Sequence, residues 1–296
     1  MEIIKTSTLN EPDISFIIPV HNEEKYLPVT LNAIRNQKTD LKAEVILIDD
    51  RSEDKTKKTA EGYNCTVYEN IKDTGNTQLN VTQLRNFGFE KSHGKTIMHM
   101  DGDTAFSVNY MEKMVKPLIT GKADTTLVFW HEPLEVRYPI LPEKYSKSYA
   151  WFLHNLPHFF WGKIPVRFFI WIGLWIKTCI KKKRMVPLFS IPDRINGSGL
   201  ITRREIPEKF GGWKKAFGAH SDTDYSLNCI KFSNRIKWIT GTILYYSCRR
   251  YFPENNSWLI KKILKPFNKM ISLFGKKRKN PHIDPEKGYI NPEGKR

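Results

Sequence analysis

The chain has 296 residues, 40% of them hydrophobic, and a formal net charge of +17. That length can bury a full core and fits one large domain, or one domain with an appendage. Its four cysteines, Cys65, Cys179, Cys229 and Cys248, lie far apart without a CxxC pair, so no zinc site or disulfide framework is signalled and a reducing compartment is expected.

Strand-like sequence begins at Ile14, after an N-terminus with no apolar signal core, which points to the cytoplasm. Ser15–Val20 is a short apolar run of the kind buried in a parallel sheet. Tyr26, Leu27, Thr30, Leu31 and Ile34 then recur at helical spacing, with Asn22 as the expected N-cap and Glu23 and Glu24 in the first turn. Glu44–Asp50 is a second buried strand, the polar stretch from Arg51 to Tyr63 a loop and helix, and Thr66–Glu69 a third strand. Asn80–Ser92 reads as another helix, and Lys95–Met100 as a strand that runs into Asp101 and Asp103. Strands alternating with helices predict an α/β fold, a mostly parallel, Rossmann-like sheet with helices on both faces.

Ligands of such sheets sit outside the carboxyl ends of the strands. That rule gathers three stretches into one crevice: Pro19–Glu23, which includes His21; Asp49 and Asp50; and Asp101-Gly102-Asp103. Paired acids at a strand end suit a hard divalent cation, which wants several oxygen ligands held in place. Taken alone, the stretch Ile97–Asp103 reads first as a solvated turn and only second as a cation site.

The order of blocks carries more. The stretches SFIIPVHNEEKYLPVTLNAI, VILIDDRSEDKT, LRNFGFEKSHGKTIMHMDGD and INGSGLITRREIPEKFGGWKKAFGAHSDTDYSL resemble the successive blocks of the family 2 glycosyltransferases, which have the GT-A fold. The resemblance runs in order from about Ile14 to Tyr251. It implies a nucleotide-sugar donor, UDP- or GDP-linked, with the nucleoside held by Pro19, His21, Glu23, Asp49 and Asp50, of which Asp50 is the first choice for the ring N–H of the base. Arg85 matches a position near the donor, although a surface helix arginine would look the same. Asp101-Gly102-Asp103 resembles the DxD motif, in which Asp103 binds Mg²⁺ or Mn²⁺ and Asp101 contacts the ribose, or the metal through water.

Asp222 stands at the place of the family's catalytic base, with Asp224 as the fallback; the family's usual Glu-Asp is Ser221-Asp222 here. Asp222 also has the makings of a helix cap. The resemblance assigns Gly212 and Trp213 to the acceptor side, where the Trp either stacks on a sugar or is buried, and puts Arg249 and Arg250 beside the site. The QxxRW motif of processive synthases is absent, which argues against a polymerase.

Most of the charge is local. Trp161–Arg184 holds seven Lys/Arg and no acid, and Pro253–Arg296 eleven against four acids. The first belongs to a Trp- and Phe-rich stretch, Trp151–Ile180, whose longest uncharged apolar run is nine residues, too short to span a bilayer. In the second, Leu259, Ile260, Ile263, Leu264, Phe267, Met270, Ile271 and Phe274 keep helical spacing between lysines. Both read either as amphipathic helices on an anionic membrane surface or as helices packed on the domain. The expected organisation is a GT-A domain over residues 1–252, with a membrane-facing insertion at about 150–184. A basic amphipathic helix and disordered tail follow over 253–296.

The expected protein is a peripheral enzyme at the cytoplasmic face. It would glycosylate a hydroxyl of a lipid-linked or glycan acceptor, or a polyprenyl or dolichyl phosphate. Basic clusters are also the footprint of nucleic-acid binders. Their mixture with tryptophans and apolar stripes argues against that class, and no nucleic-acid partner is expected.

Overall fold

The computed structural model describes residues 1–5, 9–71, 77–138, 199–214, 221–247 and 249. The expected insertion at 150–184, the C-terminal segment 253–296 and Arg250 lie outside the described residues.

The first half of the chain lays down strands β1 (Glu2–Lys5), β2 (Ile14–Val20), β3 (Ala43–Asp49), β4 (Thr66–Glu69), β5 (Thr96–His99) and β6 (Thr104–Phe106). Helices α1 (Leu27–Arg35), α2 (Thr56–Glu61), α3 (Thr77–Lys91) and α4 (Tyr110–Ile119) connect them. Then come β7 (Thr125–Pro133), α5 (Leu134–Arg137), β8 (Leu200–Arg203), α6 (Glu205–Glu208), α7 (Ser221–Phe232) and β9 (Ile236–Tyr246). One sheet takes all nine strands in the order β1-β4-β3-β2-β5-β8-β7-β9-β6. It is parallel from β4 through β3 and β2 to β5, as the alternating pattern predicts. Beyond β5 the sheet is mixed: β8 pairs antiparallel with β5 and β7, and β9 runs parallel to β7 but antiparallel to β6.

The apolar runs are continuous because both faces of the central strands are covered. Phe16, Ile18 and Val20 of β2, with Val45, Leu47 and Met98, pack on Leu27, Leu31 and Ile34 of α1 and on Met114 and Val115 of α4. The alternate residues Ile17, Ile46, Ile48 and Ile97 face the other way, onto Leu84 of α3. Each fully buried aliphatic side chain of this kind contributes about 1.5–3 kcal/mol.

Asn22 does not cap α1, which begins at Leu27 with Pro28 in its first turn. The Asn22 backbone is left-handed, at φ 54. Its side chain accepts from Glu53 N at 2.9 Å and its N–H donates to Ser52 Oγ at 2.9 Å, binding the two loops after β2 and β3 together. The short polar side chain that suggests a cap also tolerates this conformation.

Gly88 lets α3 lie close on the sheet: a Cβ there would fall 2.4 Å from Ile17 Cγ2 and 2.9 Å from Ile48 Cδ1. Alanine favours an exposed helix over glycine by about 1 kcal/mol, but overpacking a core costs about 1–3 kcal/mol. Gly88→Ala is therefore expected to destabilise by up to about 2 kcal/mol, read as a lower urea midpoint at unchanged slope. A higher midpoint would show that helix propensity outweighs packing at this contact.

Candidate active site

Strands β2, β3, β4 and β5 end side by side, and their ends are stitched by backbone bonds. Asp50 N donates to Val20 O at 2.7 Å, Asn70 N to Asp49 O at 2.8 Å, and Met100 N to Ile17 O at 3.1 Å. The loops leaving these ends open a crevice of about 820 Å³. Pro19, His21, Glu23, Asp50, Arg85, Asp101, Asp103, Asp222 and Arg249 all line it, although they span 230 positions of sequence. The Asp101–Asp103 turn fits tightly at the bottom: a Cβ on Gly102 would lie 2.8 Å from Val20 Cγ1, and Thr30 Oγ1 donates to Gly102 O at 2.7 Å.

Two arginines organise the acids. Arg85, on α3 and 3% exposed, donates through Nη2 to Asp101 Oδ1 at 2.8 Å and through Nη1 to Asp222 Oδ1. Burial works against its charge, but Asp101 and Asp222 outweigh burial and hold the guanidinium protonated. Its Cζ lies 4.2 Å from the centre of the Trp213 ring, which is stacked on Tyr225 at 4.3 Å. His99 packs edge-on against both rings. Burial first, and then the Arg85 charge, push its imidazole well below the usual value, so the ring is neutral.

Arg249 makes the second cluster. It grips both carboxylate oxygens of Glu23, approaches Asp103 Oδ2 at 3.2 Å and lies 4.7 Å over the Tyr26 ring. Burial raises the Glu23 carboxyl in spite of that pairing. Burial and the neighbouring Glu135 push the Tyr26 phenol up to about 12, so it stays a neutral surface for the guanidinium. Glu135 also accepts from Ser247 Oγ, which anchors the backbone just before Arg249.

The remaining expected residues fall elsewhere. Asp49 is fully buried and braces its own loop by accepting from Ser52 N at 3.0 Å; it does not line the crevice. Asp224 is exposed and also outside it. Trp213 is 3% exposed, with Arg85 and Tyr225 both against its ring, so it offers a sugar almost no open surface. Its backbone is instead clasped by Asn86, which accepts from Trp213 N and donates to Trp213 O, both at 2.8 Å. Gly212 permits that clasp, with φ 69 and no room for a Cβ beside Asn86 Oδ1.

Sequence reading missed Tyr26, Asn70 and Glu135. Tyr26 looks like one more apolar position of α1. Asn70 carries a usable signal, because it follows the end of β4 as Asp50 follows β3. Nothing near Glu135 in sequence points to the site.

Among the described residues the crevice is lined by six carboxylates and three guanidiniums, an acidic set in a chain of net charge +17. In the Arg85 cluster the buried partner is the cation, while the Asp101 and Asp222 side chains are 39% and 41% exposed. Removing both acids strands a buried charge, whereas removing Arg85 leaves acids that water solvates. The double variant D101N/D222N is expected to lose about 3 kcal/mol and Arg85→Met about 1 kcal/mol, read from urea unfolding. Equal losses would mean that solvent reaches the guanidinium.

The profile of the family described as "Glycosyl transferase family 2" matches residues 15–173, more than half of the chain. Glycosyltransferase AglE of Haloferax volcanii is 35% identical over 115 residues, 38% of this chain and 37% of AglE. The dolichyl-phosphate beta-glucosyltransferase of Mus musculus is 36% identical over 121 residues, 36% of this chain and 35% of that enzyme. The chain thus spans little more than a third of either relative. S. aureus TarS 1–349 superposes with a TM-score of 0.54 at 15% identity, over 82% of this chain and 63% of that one. The mannosyltransferase PcManGT from Pyrobaculum calidifontis, in complex with GDP-Man and Mn²⁺, gives 0.52 at 17% identity, over 92% and 66%. At those identities the structural likeness shows the fold alone, the GT-A arrangement expected from the sequence. By the extent of the family match, the chain belongs to glycosyl transferase family 2.

Proposed function

We propose that the chain is a metal-dependent, inverting glycosyltransferase that moves a sugar from a nucleotide donor to a hydroxyl of a membrane-associated, lipid-linked glycan. The observation that carries this reading is the acidic crevice at the carboxyl ends of β2, β3 and β5, where Asp50, Asp101, Asp103 and Asp222 meet. A diphosphate repelled by six carboxylates needs a counter-cation. Asp101 and Asp103 offer hard oxygen ligands for one, and no group of three or more potential ligands occurs among the described residues. One or two carboxylates, with phosphate oxygens and water completing the shell, suit Mg²⁺ or Mn²⁺. When bound, the ion stabilises the charge that develops on the departing nucleoside diphosphate. The Mn²⁺ named for PcManGT supports this choice.

In this reading Asp50 takes the base, and Glu23 acts through Arg249 because both its oxygens are engaged there. Asp222, held by Arg85 at the rim and two-fifths exposed, accepts the proton of the attacking hydroxyl. Asp224 stands outside the crevice and takes no part. A nucleoside diphosphate with Mn²⁺ should raise the melting temperature by several degrees, an effect lost in Asp103→Ala and weakened in Asp101→Ala. No stabilisation by any nucleotide sugar in Mn²⁺ or Mg²⁺ would end the donor reading.

The acceptor has a second reading. Similarity to the mouse dolichyl-phosphate beta-glucosyltransferase favours a lipid phosphate, which is already ionised and needs no base. No helix among the described residues is long and apolar enough to cross a membrane. Attachment at the cytoplasmic face therefore rests, in this proposal, on the basic stretches 150–184 and 253–296. With acceptors presented in anionic vesicles that pellet the protein, Asp222→Asn should abolish transfer to a hydroxyl. Retained transfer to lipid phosphate would select the second acceptor.

A further inference from the structure

Asp50 meets the crevice with its two carboxylate oxygens in different states. Oδ1 accepts from Asn70 Nδ2 at 2.8 Å and from Arg51 Nε at 3.2 Å, which fills both its lone pairs. Oδ2 carries no hydrogen bond among the described residues and is the oxygen left for a ligand. Asn70 is 6% exposed, and its own N–H is tied to Asp49 O at 2.8 Å, so the parallel ends of β3 and β4 fix the amide against the carboxylate. Glu53, the next acid along this wall, is exposed to solvent and supplies no preset acceptor.

We propose that Asn70 makes Asp50 a reader with a single acceptor, and that the crevice therefore selects a nucleoside diphosphate bearing uracil or thymine over one bearing guanine. This rests on the donor reading above, in which Asp50 takes the base. Uracil and thymine present one ring N–H between two carbonyls, which one oxygen satisfies. Guanine presents N1–H and N2–H₂ side by side and needs both oxygens of a carboxylate; here one of those donors stays unpaired on leaving water. Cytosine and adenine present a bare ring nitrogen at that edge, which sets a lone pair against a carboxylate.

The decisive measurement is calorimetric titration of the full chain in Mn²⁺ with UDP, dTDP, GDP, CDP and ADP. UDP or dTDP should bind at least roughly tenfold more tightly than the other three, the scale of one unpaired donor. The separate UDP and dTDP titrations show which pyrimidine is taken. Asn70→Ala, which frees one lone pair of Oδ1 and leaves the Arg51 bond in place, should narrow the ratio between UDP and GDP several-fold, whereas a purely structural loss would weaken both equally. GDP binding as tightly as UDP in the wild-type chain overturns the assignment however the variant folds. An unchanged ratio in a folded Asn70→Ala protein removes Asn70 from it. If none of the five binds, the donor reading has failed and this selectivity falls with it.

Discussion

The site depends on like charges being held together by two guanidiniums. Six carboxylates around one crevice repel each other by an amount that matters: two unit charges 4 Å apart cost about 4 kcal/mol at the effective dielectric of a protein surface. Arg85 and Arg249 offset this for four of them, Asp101, Asp222, Glu23 and Asp103, by sitting between acids rather than beside one. Each also joins distant parts of the chain, Arg85 to Asp222 across 137 positions and Arg249 to Glu23 across 226. The half of the fold that carries the parallel strands is thus bound by charge to the half that carries α7 and the end of β9. Trp213 and Tyr26 serve this arrangement by giving each guanidinium an aromatic face in place of water.

Much of this was legible in the sequence for a simple physical reason. A strand buried on both faces must be apolar throughout, so β2, β3 and β5 stand out as runs, and polar residues resume where the crevice begins. The acids following Val20, Ile48 and Met100 could therefore be placed together from topology alone. Strand β4 has the bounds expected, and β2, β3 and β5 differ from expectation by a residue or two.

What could not be read is pairing. Whether Asp49 or Asp50 turns outward depends on which loop N–H is near, and Ser52 N settles it. A tryptophan after two glycines looks available for a sugar until it is seen buried, with Arg85 and Tyr225 against its ring. Asn22 has the composition of a cap, and only its hydrogen bonds to Ser52 and Glu53 show that it ties two loops instead. Strands β7, β8 and β9 are long-range partners, joined across segments with no alternating pattern of their own.

The two aspartates of the Asp101-Gly102-Asp103 turn are not equivalent, and their neighbours explain why. Asp103 is 6% exposed and within reach of Arg249, whereas the Asp101 side chain is 39% exposed and bonded to Arg85. A carboxylate that turns to a metal ion gives up some of its bond to a guanidinium, and that guanidinium then needs another anion. For Arg85 and Arg249, both lining the same hollow, the incoming anion in the proposed reaction is the diphosphate itself. The same two cations would thus balance the acids before the donor arrives and the phosphates afterwards, so the crevice need not expose an uncompensated buried charge at either stage. A lysine would serve less well at either position: its ammonium gathers its three donors on one nitrogen, whereas Arg85 reaches Asp222 and Asp101 through two separate nitrogens held in a rigid plane.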